Sequence, residues 1–425
     1  MTLSVPPVVV DYRHKAFPSA YEGSDTATLV GRLNVLSSDY PTPVVVVRSN
    51  ALDHNIRTLQ GLCDRSGMSL APHVKTTMSP EVASAQLAAG AWGITLATPS
   101  QVRIFRRLGA NRIILANEVV DPAAIEWLHR EMAQDADFFC FSYVDSTDGI
   151  ELLEKTLSRA GLRRPLPVMI EIGVPGGRAG VRDLRLVAEL AERTSGSAYL
   201  ELAGVGGFEG VVQGPLDGRL LADVRKYLRD LRAAADAAIP HHSCEAEPFI
   251  VTVGGSCFIE MIATELGQRW RTKRGVRVVL RSGCYVTHDS LGYARYRELL
   301  HTEYRLVDLK PALRLWSRVL ARPEPSLAIM DFGKRDTGVD AGFPVPELRL
   351  RRDGVEPGEI EPSEIVAVND QHAYLRTRSG SALDLDIGDR VGFGVSHPCT
   401  TFDKWQVIPV VDDRHVLTGV LQTFF

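Results

Sequence analysis

Cysteine is scarce and lacks pattern: six residues, Cys63, Cys140, Cys244, Cys257, Cys284 and Cys399, are spread over 425 positions without a CxxC pair. That excludes a disulfide framework and suits a reduced compartment. A dominant charge is missing too. Lysine and arginine number 48 against 52 acidic residues, for a net charge of −4. Bulk electrostatics therefore offer nothing to nucleic acid or an anionic membrane. No window approaches the roughly 18 apolar residues of a membrane span. The N-terminal MTLSVPPVVVDYRHK has no charged stretch leading into an apolar core, and its short run Val5–Val10 carries two prolines. It reads as no signal peptide, so a cytoplasmic location is expected. Low-complexity tracts and repeats beyond a βα unit are likewise lacking.

What is present is length and apolar content. A chain of 425 residues that is 45% hydrophobic can build two domains and at least one large core. PVVVVR (43–48) reads as a strand, and Asn50 as the cap of the helix that follows. Eight apolar runs come next: SLAPHVK, WGITLAT, RIILAN, FFCFSYV, PVMIEIGV, YLELAGVGG, FIVTVGG and VRVVLRSG. Amphipathic helical stretches separate them, such as DPAAIEWLHREMAQ and DVRKYLRDLRAAADAA. Eight strands alternating with helices predict a (β/α)8 TIM-type barrel, with a doubly wound open sheet as the rival. Beyond about residue 300 the segments shorten, and Gly, Pro and Asp-rich turns divide them. That pattern predicts an antiparallel β domain. The expected division is an N-terminal segment 1–45 lying with the β domain, a barrel at 46–295 and the β domain at 296–425. RRDGVEPGEIEPSE reads as a surface loop.

Barrel sites lie at the C-terminal ends of the strands, and phosphates often bind in the loops after strands 7 and 8. Those loops are Val253-Gly254-Gly255-Ser256 and Arg281-Ser282-Gly283-Cys284-Tyr285. Their small residues let amides approach a phosphate, with the hydroxyls of Ser256 and Tyr285 nearby. Either loop alone reads more readily as an ordinary tight βα turn; the pair at strands 7 and 8 says more. Lys75 ends strand 1 in Pro72-His73-Val74-Lys75-Thr76, at the same mouth. A lysine there is ordinarily solvated, but in a pocket it can lose its proton and form a Schiff base. Far downstream, Ser396-His397-Pro398-Cys399 sets an imidazole and a thiol two residues apart. They are zinc-like ligands that leave positions open, or else a core cysteine beside a hydrogen-bonded histidine.

Together these segments resemble the D-serine dehydratase and D-threonine aldolase group of the alanine-racemase-like pyridoxal-phosphate enzymes (fold type III). PHVKTT resembles the cofactor-lysine motif, and EIGVPGGRAGV the strand-5 motif, whose arginine would be Arg178. VTVGGS and LRSGCYVTHDS resemble the two phosphate segments, and MDFGKRDTGVDAG the β-domain motif that approaches the mouth. SHPC matches the metal motif, and VNDQHAYL lies where the group has an acidic-histidine segment. Two departures stand out. Gly173 replaces the strand-5 aspartate, and Phe208-Glu209-Gly210 stands where many relatives have Tyr-x-Gly-His.

The resemblance implies a pyridoxal 5′-phosphate enzyme acting on a D-amino acid. Lys75 would be the catalytic and cofactor-bearing lysine. His73, Arg178, Gly254, Gly255, Ser256, Gly283, Cys284 and Tyr285 would contact the cofactor, Arg178 at its phenolic oxygen. His397 and Cys399 would hold a metal. Aldolase-like members tend to carry His-x-Asp and dehydratase-like members His-x-Cys, so the thiolate points to Zn2+ and to dehydration of a D-β-hydroxy amino acid such as D-serine. Retro-aldol cleavage, racemisation and a non-catalytic cofactor carrier are the other readings. The stretch after the barrel, carrying the metal pair, counts against a carrier. A homodimer is implied, one subunit's Asp331–Gly342 loop reaching its partner's cofactor.

Overall fold

The computed structural model describes residues 2–161, 164–255, 257–267, 270 and 275–425. Strand β1 (Val44–Arg48) leads into helix α1 (Ser49–Arg65), after which strands and helices alternate. They are β2 (Ser69–Leu70), α2 (Pro80–Ala88), β3 (Ile94–Leu96), α3 (Pro99–Arg107), β4 (Arg112–Glu118), α4 (Pro122–Gln134), β5 (Phe139–Val144) and α5 (Thr147–Arg159). There follow β6 (Leu166–Ile172), α6 (Leu186–Ser195), β7 (Leu200–Gly207), α7 (Gly218–Ala238), β8 (Phe249–Val253), α8 (Ile259–Leu266), β9 (Val276–Leu280) and α9 (Gly292–Leu300).

Strands β2 to β9 form one eight-stranded parallel sheet in the order β2-β9-β8-β7-β6-β5-β4-β3. A parallel bridge from His73 to Thr95 brings its two ends together, so the barrel is nearly closed. The open-sheet rival is thereby set aside. Parallel strands covered on both faces should be apolar throughout. β8, Phe-Ile-Val-Thr-Val, is buried at every position. Ile114, Phe141, Tyr143, Met169, Ile250 and Val279 fill the barrel interior as a cluster of their own. Helix starts follow capping chemistry: Thr98 and Asp121 accept from early helical amides just before Pro99 and Pro122. In α7, buried Leu220, Val224, Leu228 and Leu231 repeat at helical spacing and give it one apolar face.

The second sheet contains β10 (Leu313–Glu324), β11 (Leu327–Met330), β12 (Val345–Leu350), β13 (Gly358–Glu359) and β14 (Ser363–Val368). It continues with β15 (Ala373–Thr377), β16 (Arg390–Gly394), β17 (Val407–Val411) and β18 (Leu417–Gln422), plus the short helix α10 (Cys399–Phe402). β1 belongs wholly to this sheet, antiparallel to β10 and parallel to β17. The barrel elements therefore start at α1, a few residues past position 46. Residues before β1 lie along the same sheet. Val35 donates its amide to His415, and Arg390 donates to the carbonyls of Val35, Ser37 and Tyr40. No helix among the described residues is long and apolar enough to cross a membrane.

Candidate active site

A cavity of about 230 Å³ opens at the C-terminal ends of the barrel strands. Lys75, His73, Arg178, Gly254, Gly283, Cys284 and Cys399 all line it, joined by Tyr143, Glu171, Phe208 and Arg281. Lys75 sits on a one-turn helix, Val74–Thr76, just past β2. Among the described residues its ammonium makes no hydrogen bond or ion pair. Burial pushes its pKa down, helped by Arg178 and Arg281 and opposed by Cys399 and Cys284. An amine in such a place is readily deprotonated and nucleophilic. His73 is driven well below its ordinary range, chiefly by burial and then by Lys75, so its imidazole is neutral.

Arg281, just past β9, is 4% exposed and spans three strands. It donates to Thr252 Oγ1 at 2.9 Å and to the Gly207 carbonyl at 2.7 Å, beneath the Tyr143 ring at 5.7 Å. Beside it, Glu171 is pushed from 4.5 to about 8, by burial first and then by its hydrogen bond with Glu118. These residues make a floor that is cationic on one side and protonated on the other. Sequence reasoning assigned no role to Tyr143, Glu118, Glu171 or Arg281. Their signal was present: each is a polar residue at or just past the C-terminal end of an apolar strand, where a barrel keeps its functional groups.

The phosphate loops turn out differently from expectation in two places. Gly254 lines the cavity, but the Gly255 amide, at φ +78°, donates instead to both oxygens of buried Glu209, at 2.9 and 3.1 Å. Tyr285 is fully buried in the core, and its hydroxyl accepts from the Gln86 amide at 2.9 Å rather than facing the cavity. The one-turn helix Cys284–Val286 turns that ring inward. Ser256 lies outside the described residues. Gly283 lines the cavity, and a Cβ there would lie 2.7 Å from both the His73 carbonyl and Thr76 Oγ1.

The two departures have local partners. The space beside Gly173 is taken by the Arg182 guanidinium, which donates to the carbonyls of Gly177, Arg178, Ala179 and Gly180 and so shapes the Arg178 loop. Phe208 packs over Gly254, and Arg178 stacks on its ring at 4.9 Å. Arg178 thereby stands at the cavity rim, next to an open cleft of about 880 Å³ between its loop and α7.

The C-terminal pair arrives from the other domain. Cys399 Sγ lies 3.5 Å from Thr76 Oγ1 and 3.2 Å from Cys284 Sγ, 323 and 115 positions away in sequence. The Cys284 thiol, opposing burial and assisted by His397, holds Cys399 down to about 4, and Cys399 raises His397 to about 9. Cys399 is thus the member of the Cys284–Cys399 pair that its neighbours favour as a thiolate. The expected loop also comes to the mouth of its own chain: Asp340 contacts His397.

Both groups that the sequence implies fit these residues. For pyridoxal phosphate, the Nδ1 of His73, the hydroxyl of Tyr143 and the Nε of Arg281 are buried without a partner among the described residues. Lys75 has no partner among the described residues, and the Gly283 backbone leaves a cradle that a Cβ would fill. For a metal, a thiolate and an imidazole are ligands of the right chemistry. Among the described residues no cluster of three or more His, Cys, Asp or Glu side chains stands ready to hold an ion, so His397 and Cys399 would be a two-residue ligand set.

Comparisons with known proteins point the same way. Residues 47–257 match the alanine racemase N-terminal domain, and residues 312–411 match the putative serine dehydratase domain. D-threonine aldolase from Arthrobacter sp is 27% identical over 88% of this chain and 89% of its own. D-threo-3-hydroxyaspartate dehydratase from Delftia sp. (strain HT23) is 33% identical over 33% of this chain and 36% of its own. The solved structure of that dehydratase has a TM-score of 0.72 at 22% identity, covering 92% of this chain and 99% of its own.

Proposed function

The chain belongs to the D-serine dehydratase and D-threonine aldolase family of alanine-racemase-like enzymes, and from that premise we propose that it is a pyridoxal-phosphate- and zinc-dependent lyase that converts a D-β-hydroxy amino acid such as D-serine to a 2-oxo acid and ammonia. One observation carries the reading: a single cavity is lined by Lys75 from the barrel and by Cys399 from the β domain. A racemase has no use for the second group, and a cofactor carrier has none either.

Lys75 would hold the cofactor, with Arg178 at its phenolic oxygen, Gly254 and Gly283 at its phosphate, and Arg281 and Tyr143 closing the floor. Pyridoxal phosphate, when bound, supplies an electron sink for charge left at the amino acid's α-carbon. The amine of Lys75, kept toward its neutral form by burial, is the base for the α-proton. Protonated Glu171 puts no carboxylate charge on the cavity wall at neutral pH. His397 and Cys399 would hold zinc, whose Lewis acidity serves the loss of the β-hydroxyl. Two protein ligands leave positions for a substrate oxygen.

Borohydride reduction of the yellow protein, followed by peptide mass spectrometry, tests the core of this. A pyridoxyl group on Lys75 is expected; labelling of any other lysine defeats the reading. A second reading has its own support, since the aldolase from Arthrobacter aligns over most of both chains. In it the same metal would help deprotonate the hydroxyl, and the Cα–Cβ bond would break. His397-x-Cys399, with its soft ligand, favours dehydration. A homodimer is part of the proposal, and sedimentation of a fully active monomer would remove that part.

A further inference from the structure

The loop after β11 returns to the barrel mouth and sets Asp340 against His397. Asp340 Oδ2 accepts from the Nδ1–H of His397 at 2.6 Å, and its Oδ1 accepts from the Thr400 hydroxyl at 2.7 Å. The loop is fastened as well. The Gly338 amide donates to Thr401 Oγ1 at 3.0 Å, and the Ser396 hydroxyl donates to the Gly342 carbonyl at 2.6 Å. A Cβ at Gly338 would lie 3.0 Å from the His397 carbonyl, so the loop packs directly on the His397 backbone. Asp340 is 55% exposed at its side chain, yet both oxygens are placed.

Imidazole has two nitrogens, and a carboxylate on one decides the state of the other. In its neutral form, with the proton on Nδ1 facing Asp340, His397 keeps the lone pair on Nε2. That is the tautomer a metal ligand must adopt, and the carboxylate also raises the ligand's basicity. The sequence Ser396-His397-Pro398-Cys399-Thr400 supports this compactly. α10 begins at Cys399, so one turn presents the thiolate to the cavity and the Thr400 hydroxyl to Asp340.

We propose that Asp340 is the positioning residue of the metal site, fixing the tautomer and orientation of His397 so that Nε2 meets the ion beside Cys399. This rests on the reading of His397 and Cys399 as a zinc pair. Asp340 touches neither metal nor substrate; it acts through His397.

The test is the zinc affinity of the cofactor-loaded protein, measured by competition with a chromophoric chelator. The wild type is compared with Asp340→Ala, Asp340→Asn, His397→Ala and Cys399→Ala. Asp340→Ala should weaken zinc binding roughly tenfold to a hundredfold, with the cofactor's visible absorbance and the Tm unchanged. Asp340→Asn keeps an acceptor but loses the charge, and should weaken zinc binding by a smaller factor that still exceeds twofold. Nitrogen NMR of His397 in the zinc-free protein, recorded at a pH where the ring has lost its second proton, should find one tautomer in the wild type and a mixture in Asp340→Ala. If Asp340→Ala lowers the Tm, the Asn variant carries the test. Zinc affinity within twofold of wild type in both Asp340 variants, while His397→Ala and Cys399→Ala lose zinc, would overturn the proposal alone. Unchanged affinity in the His397 and Cys399 variants would overturn the zinc pair and Asp340's role with it.

Discussion

Burial moves Lys75 and Glu171 toward the same condition, a neutral side chain at neutral pH, by opposite shifts. For Glu171 this has a stability consequence with a definite sign. Its carboxyl titrates near 8 folded against an ordinary 4.5. Between those values the unfolded chain has lost the proton and the folded chain keeps it, so raising the pH through this window lowers stability. Glu171→Gln keeps a hydrogen bond to Glu118 but cannot titrate. Its Tm relative to wild type should therefore rise steadily from pH 5 to pH 8 and then level off; a constant difference would refute the shift. Tyr285 gives a second prediction. With its hydroxyl on Gln86 in the core, Tyr285→Phe should cost about 1 kcal/mol of stability and alter cofactor affinity by less than twofold. A large loss of cofactor affinity would return that hydroxyl to the phosphate. A motif and a strand end marked Lys75 and Gly283 in the sequence, and the SHPC motif marked Cys399; the structure brings all three to one cavity. The sequence misread Gly255 and Tyr285 because loop position says which residues are near a phosphate, not which way an amide or a ring turns.

At the scale of elements, the strand pattern was legible and the strand lengths were not. SLAPHVK shortens to Ser69–Leu70 because Pro72 has no amide for the ladder, and pairing resumes only as a bridge at His73. The role of β1 was hidden for a different reason. PVVVVR is equally apolar in a barrel or in a second sheet, and only its partners β10 and β17 decide. The segment before it depends on Arg390, 3% exposed and donating to the carbonyls of Val35, Ser37 and Tyr40. Arg390→Ala would leave the Val35 carbonyl without its donor and take one of two donors from Ser37 and from Tyr40. It should cost about 3 kcal/mol in urea unfolding and open the segment around residues 35–41 to limited proteolysis. Unchanged stability and protection would show that the strand pairing of β1 alone holds the segment.

Across the whole molecule, the candidate site is a seam. The barrel supplies Lys75, Arg178, Arg281 and Glu171, and the β domain supplies Cys399. Both halves could be recognised from short motifs, but their meeting across 323 positions could not, because no local pattern encodes how two domains dock. The Asp331–Gly342 loop shows the same limit: no local pattern marks its contact with His397 of its own chain. In the proposed reaction this seam joins an amine base to a metal-assisted departure of the β-hydroxyl. The most direct measurement is product analysis with D-serine and D-threonine on the zinc-loaded protein, before and after chelation. The prediction is ammonia and a 2-oxo acid from D-serine, abolished by chelation while the cofactor's visible spectrum persists, and restored by zinc better than by manganese. Full-rate ammonia release from chelated protein, or glycine and acetaldehyde from D-threonine far faster than ammonia from D-serine, would contradict it.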